Sequence, residues 1–146
     1  MRTIKYIIIH CSAGRQTNTA QDVINYHCRS LGWKTPGYHY IIDAQGNITN
    51  AVAEDKISNG VKASIIDADG VKVNATAINI CYIGGVDVTK QNLPPIDNRT
   101  AAQKLALINL LKTLRRRYSS AKIRGHRDFQ NKACPCFDAK TEYKDL

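Results

Sequence analysis

Tyr6-Ile7-Ile8-Ile9-His10-Cys11-Ser12-Ala13-Gly14 joins an apolar run to a polar segment near the start of the chain. A short run rich in isoleucine is typical of a buried strand, and we predict one from Thr3 to Ile9. The strand gives way to His10-Cys11-Ser12, so an imidazole and a thiol follow its last apolar residue. The end of a core strand lies at the rim of a sheet, where functional groups are accessible.

Strands and helices alternate along the rest of the chain. Thr19 and Asp22 have the spacing of a helix cap, and Gly32 ends the helix that they begin. A long helix from Thr100 to Tyr118 begins with a second capping box. Its predicted apolar stripe is Ala101, Leu105, Ile108, Leu111, Leu114 and Tyr118. The further predicted strands are 38–43, a return strand from 48 after the 45–47 turn, 77–83 and 122–124.

The remaining segments are less regular. We predict a long loop with one short hairpin over 53–76, and a helical turn in the tail after residue 128. The mixture of strands and helices predicts an α/β fold, with a mixed central β-sheet flanked by helices. The 146 residues fit a single domain spanning 1–146.

Composition excludes several classes of protein. Apolar residues make up 43% and charged residues 23%, a mixture that is typical of folded globular chains rather than disordered ones. The apolar run at Tyr6–Ile9 is too short to cross a bilayer, and it lacks the longer apolar stretch of a signal peptide. We therefore expect synthesis in the cytoplasm and no membrane insertion.

The charge balance points to anionic partners. Lys plus Arg is 21 and Asp plus Glu is 12, a formal charge of +9 that suits nucleic acid, an anionic membrane or a bacterial wall polymer alike. Single-stranded nucleic acid is bound by basic and aromatic residues together on one face. The seven Tyr, two Phe and one Trp are scattered here, so we expect no nucleic acid.

Histidine and cysteine carry the chemistry. His10 and His126 each lie where a predicted strand ends, and Cys134 follows within Lys132-Ala133-Cys134-Pro135-Cys136. Two imidazoles and one thiolate suit Zn²⁺ and leave a fourth position for water, as in catalytic zinc sites. On spacing alone, ordinary histidines and a buried cysteine remain the alternative. The cysteine count of five is odd, which favours thiols or a metal over a disulfide framework.

Five segments occur in an order that resembles a known family: IIIHCSAG, a helix ending near LGW, GYHYIID, INICYIGG and GHRDFQNKACPCFD. Together they resemble the zinc-dependent N-acetylmuramoyl-L-alanine amidases of the phage-lysozyme and peptidoglycan-recognition-protein superfamily. The resemblance runs from the first strand to Asp138. It implies hydrolysis of the amide between N-acetylmuramic acid and L-alanine in bacterial peptidoglycan.

The resemblance also implies roles for particular residues. The metal ligands fall on His10, His126 and Cys134, and the catalytic tyrosine and lysine fall on Tyr38 and Lys132. A compact enzyme of this kind resembles a phage or prophage endolysin, which acts on the wall after release; a toxin delivered by a secretion apparatus and a wall-recycling enzyme are the alternatives. We expect it to be a monomer. The alternative within this fold is a binding module without catalysis, although the retained ligand set favours the enzyme.

The sequence leaves more than one role open for several residues. His27 falls on a helical apolar stripe and is either a metal ligand or a hydrogen-bonded core histidine, and we expect the second. His39 is predicted to be structural or to support a ligand, and Asp128 either accepts a hydrogen bond from a ligand histidine or has no such role. Asn59 stands where many relatives carry a histidine, and the loop 61–75 after it is long. Cys136 either competes for the metal or is a bystander, and we expect the second.

Overall fold

The structure is a computed structural model that describes all 146 residues. Five strands form one sheet in the order β3-β2-β4-β1-β5. They are β1 (Tyr6–Cys11), β2 (Tyr40–Ile42), β3 (Ile48–Asn50), β4 (Ala77–Tyr82) and β5 (Lys122–Gly125). The α-helices are α1 (Ala20–Asn25), α2 (Ala101–Arg117) and α3 (Ala139–Glu142). The predicted α/β fold with a mixed sheet is confirmed.

The first strand lies inside the sheet, between β4 and β5. β1 pairs in parallel with β4 on one side and with β5 on the other, and only β3 runs antiparallel to its neighbour. The strand begins at Tyr6, later than predicted, and it includes His10 because pairing with β4 continues to Cys11↔Tyr82. Since Ile9 lies opposite Gly125, the residues that follow each of them meet at one edge of the sheet.

The second strand is shorter than the predicted 38–43. Only from Tyr40 onward does the chain pair with both neighbours, opposite Ile80 of β4 and Asn50 of β3. Tyr38 therefore lies just before the strand rather than within it. The predicted 45–47 turn and return strand are confirmed, and the 53–76 loop contains a bridge between Ile66 and Lys72.

The long helix has the predicted bounds but not the predicted face. Both capping boxes form, at Thr19 and at Thr100. Leu111 and Leu114 are buried as expected, whereas Leu105 is 62% exposed. Gln103 is buried in its place, because its amide donates to the carbonyls of Ile42 and Ile83 at the ends of two strands. A polar residue thus attaches the helix to the sheet.

The first helix continues past α1 as a π-helical turn, Tyr26–Ser30. Gly32 ends it with φ +71, a backbone conformation that glycine adopts without a steric penalty. This segment forms one wall above the edge of the sheet where His10 lies. No helix in the structure has both the length and the apolar composition that crossing a membrane requires.

Candidate active site

His10, His126 and Cys134 come together at the edge of the sheet. His10 is the fifth residue of β1, and His126 follows the last residue of β5. Cys134 comes from the loop after β5, and the backbone N–H of Cys11 donates to its sulfur at 3.2 Å. The three ligand atoms all lie within 4.8 Å of one another. Of these side chains, both histidines are buried and the thiol is half-buried.

Each ring is held by a side-chain amide on its far side. His10 Nε2 lies 2.9 Å from Asn79 Oδ1, and His126 Nε2 lies 2.7 Å from Gln130 Oε1. The Gln130 oxygen also accepts the backbone N–H of Lys62 at 2.8 Å, so it is an acceptor. With oxygen acceptors at both Nε2 atoms, each ring carries its proton there and leaves Nδ1 unprotonated.

These contacts test whether the residues fit a zinc ion. The two unprotonated Nδ1 atoms face each other at 3.1 Å, an arrangement that repels unless a cation lies between them. Ligand nitrogens bound tetrahedrally at about 2.0–2.1 Å from one zinc ion would lie roughly 3.3 Å apart. Two nitrogens and one sulfur are also a donor set that zinc favours. The residues fit the metal that the sequence resemblance implies.

The electrostatics keep both imidazoles neutral. Burial lowers the pKa of His10 well below its ordinary value, and protonation of the nearby His126 would lower it further. Burial also lowers the pKa of His126, with a further contribution from the Lys132 ammonium. Neutral imidazole is the form that binds a metal, so both rings are available as ligands at neutral pH.

A groove of ≈ 610 Å³ is lined by His126 and Cys134, and also by Tyr38 and Lys132. Tyr38 packs against His10 with ring centroids 5.0 Å apart. Burial raises the pKa of its phenol well above the ordinary value, so the hydroxyl keeps its proton. A second depression of ≈ 580 Å³ shares five residues with the groove: Trp33, Asn59, Gly60, His126 and Lys132. The candidate site therefore lies along an extended surface that suits a polymer.

Other residues singled out from the sequence have structural contacts. His27 is buried, accepts the backbone N–H of Gly37 at 3.0 Å and stacks on Trp33, as predicted for a core histidine. Asn59 lines the groove and donates to the carbonyl of Thr35 at 3.1 Å. His39 is fully buried, does not line the groove, and contacts Ser58 and the backbone of Asn79.

Asp128 does not support a ligand histidine. Its carboxylate accepts the backbone N–H of Gly125 at 2.8 Å and so caps the turn that carries His126. The supporting side chains are instead Asn79 and Gln130, which the sequence interpretation missed. Two signals could have found them. Asn79 is a lone amide in an apolar strand, and Gln130 lies four residues after His126.

Cys136 lies outside the three-ligand cluster. Its sulfur is 3.8 Å from that of Cys11 and donates to the carbonyl of Gly85 at 3.4 Å. All five cysteines are free thiols in the structure. The contacts of the Cys136 sulfur are thus with Cys11 and Gly85 rather than with the two histidines.

Comparison with known proteins decides the family. Residues 1–137 match the N-acetylmuramoyl-L-alanine amidase family. The chain belongs to this family. The endolysin of Klebsiella phage KP32 is 35% identical over 136 residues, which cover 92% of this chain and 82% of that protein. This amidase is therefore an enzyme of peptidoglycan hydrolysis.

Solved structures show the same fold. An endolysin from the Thermus scotoductus bacteriophage Ph2119 superposes with a TM-score of 0.73 at 22% identity, covering 92% of this chain and 79% of that one. The bumblebee recognition protein PGRP-SA superposes with a TM-score of 0.75 at 17% identity, covering 100% of this chain and 83% of that one. The amidase thus has the fold that phage endolysins and peptidoglycan recognition proteins share.

Proposed function

We propose that this amidase is zinc-dependent, with the ion held by His10 Nδ1, His126 Nδ1 and the Cys134 thiolate. The observation that carries the proposal is the 3.1 Å approach of two Nδ1 atoms whose ring protons are engaged elsewhere. When bound, zinc in a site with three protein ligands polarises a carbonyl and activates water near neutral pH. The scissile bond is the amide between the lactyl group of N-acetylmuramic acid and L-alanine.

Tyr38 and Lys132 are proposed to act on the reacting amide. The tetrahedral species formed by water attack carries a negative oxygen, and both side chains line the groove beside the ligands. The phenol of Tyr38 stays protonated and donates a hydrogen bond, while the Lys132 ammonium supplies a positive charge. Donors placed where charge develops stabilise the transition state more than the substrate.

The proposal extends to the setting of the enzyme. Residues 1–146 act as one domain and as a monomer, made in the cytoplasm and acting on the wall after release, as the endolysin relatives suggest. A peptidoglycan-binding module without catalysis is the alternative. It is not favoured, because all three candidate ligands are present and meet at one point.

The test is hydrolysis of purified sacculi, followed as release of L-alanine amino termini. The enzyme is assayed as isolated, after removal of metal by a chelator, and after addition of zinc. We expect activity to be lost with the metal and restored by zinc. Full activity in thoroughly metal-free enzyme would overturn the zinc proposal, and new termini other than L-alanine would overturn the assignment of the bond.

A further inference from the structure

A chain of four polar side chains lies in the apolar interior behind the candidate metal centre. His10, Asn79, Ser58 and His39 are each 0% exposed, and they follow one another in hydrogen-bond contact. Buried polar groups are costly unless each is paired. In a chain of four such side chains, the hydrogen bonds must therefore all be donated in the same direction along the chain, so that each donor meets an acceptor.

The direction can be followed from the far end. His39 Nδ1 accepts the backbone N–H of Asn79 at 3.0 Å, so the ring proton is on Nε2, which donates to the carbonyl of Lys56 at 2.8 Å. Arg2 Nη2 also lies 3.2 Å from Nε2, but as a donor it bonds instead to the carbonyls of Glu54 and Ala77. Ser58 Oγ lies 3.0 Å from the same Nδ1 and donates to it. The hydroxyl in turn accepts from Asn79 Nδ2 at 2.9 Å. This leaves Asn79 Oδ1 facing His10 Nε2, as an acceptor.

The polar chain therefore determines which nitrogen of His10 is free. With its proton donated to Asn79 Oδ1, the ring presents the Nδ1 lone pair towards His126 and the candidate metal position. Groups that hold the second nitrogen of a ligand histidine fix both its tautomer and its orientation.

Gly60 provides the space that Asn79 needs. A Cβ atom built at Gly60 would lie 2.2 Å from Asn79 Cγ and 2.2 Å from Oδ1, far inside van der Waals contact. The φ of Gly60 lies outside the left-handed range, so space, and not backbone strain, accounts for glycine there. The loop that contains Gly60 therefore lies directly against Asn79 of β4. Any side chain at residue 60 would displace the amide that holds His10.

We propose that Asn79, oriented by Ser58 and His39, is a positioning residue that directs His10 Nδ1 to the metal, and that Gly60 is required for this role. The inference rests on the proposed zinc site. It adds that zinc affinity depends on an acceptor at residue 79, which contacts neither the metal nor the substrate groove.

The first experiment measures zinc affinity by competition with a chromophoric chelator. Asn79→Leu keeps the approximate volume and removes the acceptor, and we expect zinc to bind about 10–100-fold more weakly. Asn79→Asp keeps an acceptor for His10, and we expect zinc to bind at least as tightly as to the original chain, even if the buried charge lowers the melting temperature. Weaker zinc binding in Asn79→Leu but not in Asn79→Asp would show that residue 79 acts by positioning His10 and not through the overall stability of the protein.

Asn74→Leu is the matched control. Asn74 is also buried and makes two hydrogen bonds with the backbone of Val61, but none with a ligand. We expect it to lose stability and keep its zinc affinity. Unchanged affinity in Asn79→Leu, or equal loss in Asn79→Leu and Asn79→Asp, would overturn the inference. Absence of zinc binding in the original chain would instead overturn the proposed function on which it rests.

A second experiment remains informative if Asn79→Leu fails to fold. Gly60→Ala should weaken zinc binding in the original chain because the new methyl group displaces Asn79. In an Asn79→Gly background the same methyl group has room, and Gly60→Ala should have little effect on zinc affinity. Equal effects of Gly60→Ala in both backgrounds would contradict the proposed coupling.

Discussion

The Nδ1 atoms of His10 and His126 lie 3.1 Å apart although 116 residues separate them along the chain. The parallel register of β1 and β5 accounts for this, because Ile9 lies opposite Gly125 and each is followed by a histidine. The sheet therefore fixes the two nitrogens, and the loop after β5 adds the sulfur. A site built on paired strands is held more rigidly than one built on loops alone.

Cys134 and Cys136 provide a test within one short motif. Cys134→Ser should remove most of the bound zinc and most of the amidase activity, because serine is a far weaker zinc ligand than thiolate. Cys136→Ser should retain both, since its sulfur faces Cys11 and Gly85. Zinc content and release of L-alanine termini are measured on the same samples. Full zinc occupancy in Cys134→Ser would point to Cys136 or Cys11 as the ligand.

Tyr38→Phe and Lys132→Ala should reduce turnover while zinc content is retained. Loss of one donor to a developing oxyanion typically costs about 10²–10³ in rate. Lys132→Ala should be the more damaging change because it removes a full charge. Lys104→Ala is a control, since Lys104 lies on α2 away from the groove. Near-normal turnover in both variants would show that these residues take no part in the reaction. Loss of zinc together with activity would show that they maintain the metal site instead.

Stability should fall as the pH falls below neutral. Burial lowers the pKa of His39 from 6.5 to about 4, so the unfolded chain binds a proton that the folded chain resists. Between these two pH values the unfolded state holds more protons, and the free energy of unfolding rises with pH. Urea unfolding at a series of pH values measures this slope. Asparagine cannot titrate, so His39→Asn should reduce the slope of the free energy of unfolding against pH by the equivalent of up to one proton. An unchanged slope would show that His39 is not the group responsible.

Binding to the wall should weaken as salt rises. A depression of ≈ 430 Å³ is lined by Arg115, Lys122, Arg124, Lys140 and Lys144, and no acidic side chain lines it. Salt screens exposed charges beyond about 10 Å at 0.1 M. We expect Lys140→Gln with Lys144→Gln to reduce the salt dependence of binding to intact sacculi. Lys56→Gln, which removes an ammonium already paired with Asp55, should not. If binding to intact sacculi does not change with salt concentration, the basic depression does not hold the wall by charge.

Local sequence signals predicted much of the fold. The two capping boxes, the Gly46 turn and the isoleucine run each act within a few residues, and each has its predicted structure. The face of α2 was wrong because periodicity favours Leu105 as a core residue. Burial of Gln103 depends on carbonyls at Ile42 and Ile83, which only the folded sheet brings beside the helix.

The candidate site was also predictable only in part. Strand ends and spacing made His10, His126 and Cys134 candidates without excluding ordinary histidines and a buried cysteine, and the resemblance to the amidase family then singled them out as metal ligands. Support by Asn79 depends on a contact between residues 69 positions apart, and on the missing side chain of Gly60. A lone amide in an apolar strand marks Asn79 as unusual but does not say which residue it contacts, and Asp128 was considered instead because it lies close to His126 in sequence.

X-ray absorption at the zinc edge, on active enzyme, tests the central claim most directly. The account predicts a zinc shell with one sulfur at about 2.3 Å and the remaining ligands nitrogen or oxygen at about 2.0–2.2 Å. Two or more sulfurs would mean that Cys136 or Cys11 joins the site, and a shell without sulfur would exclude Cys134. Either result would contradict a centre built from His10, His126 and Cys134.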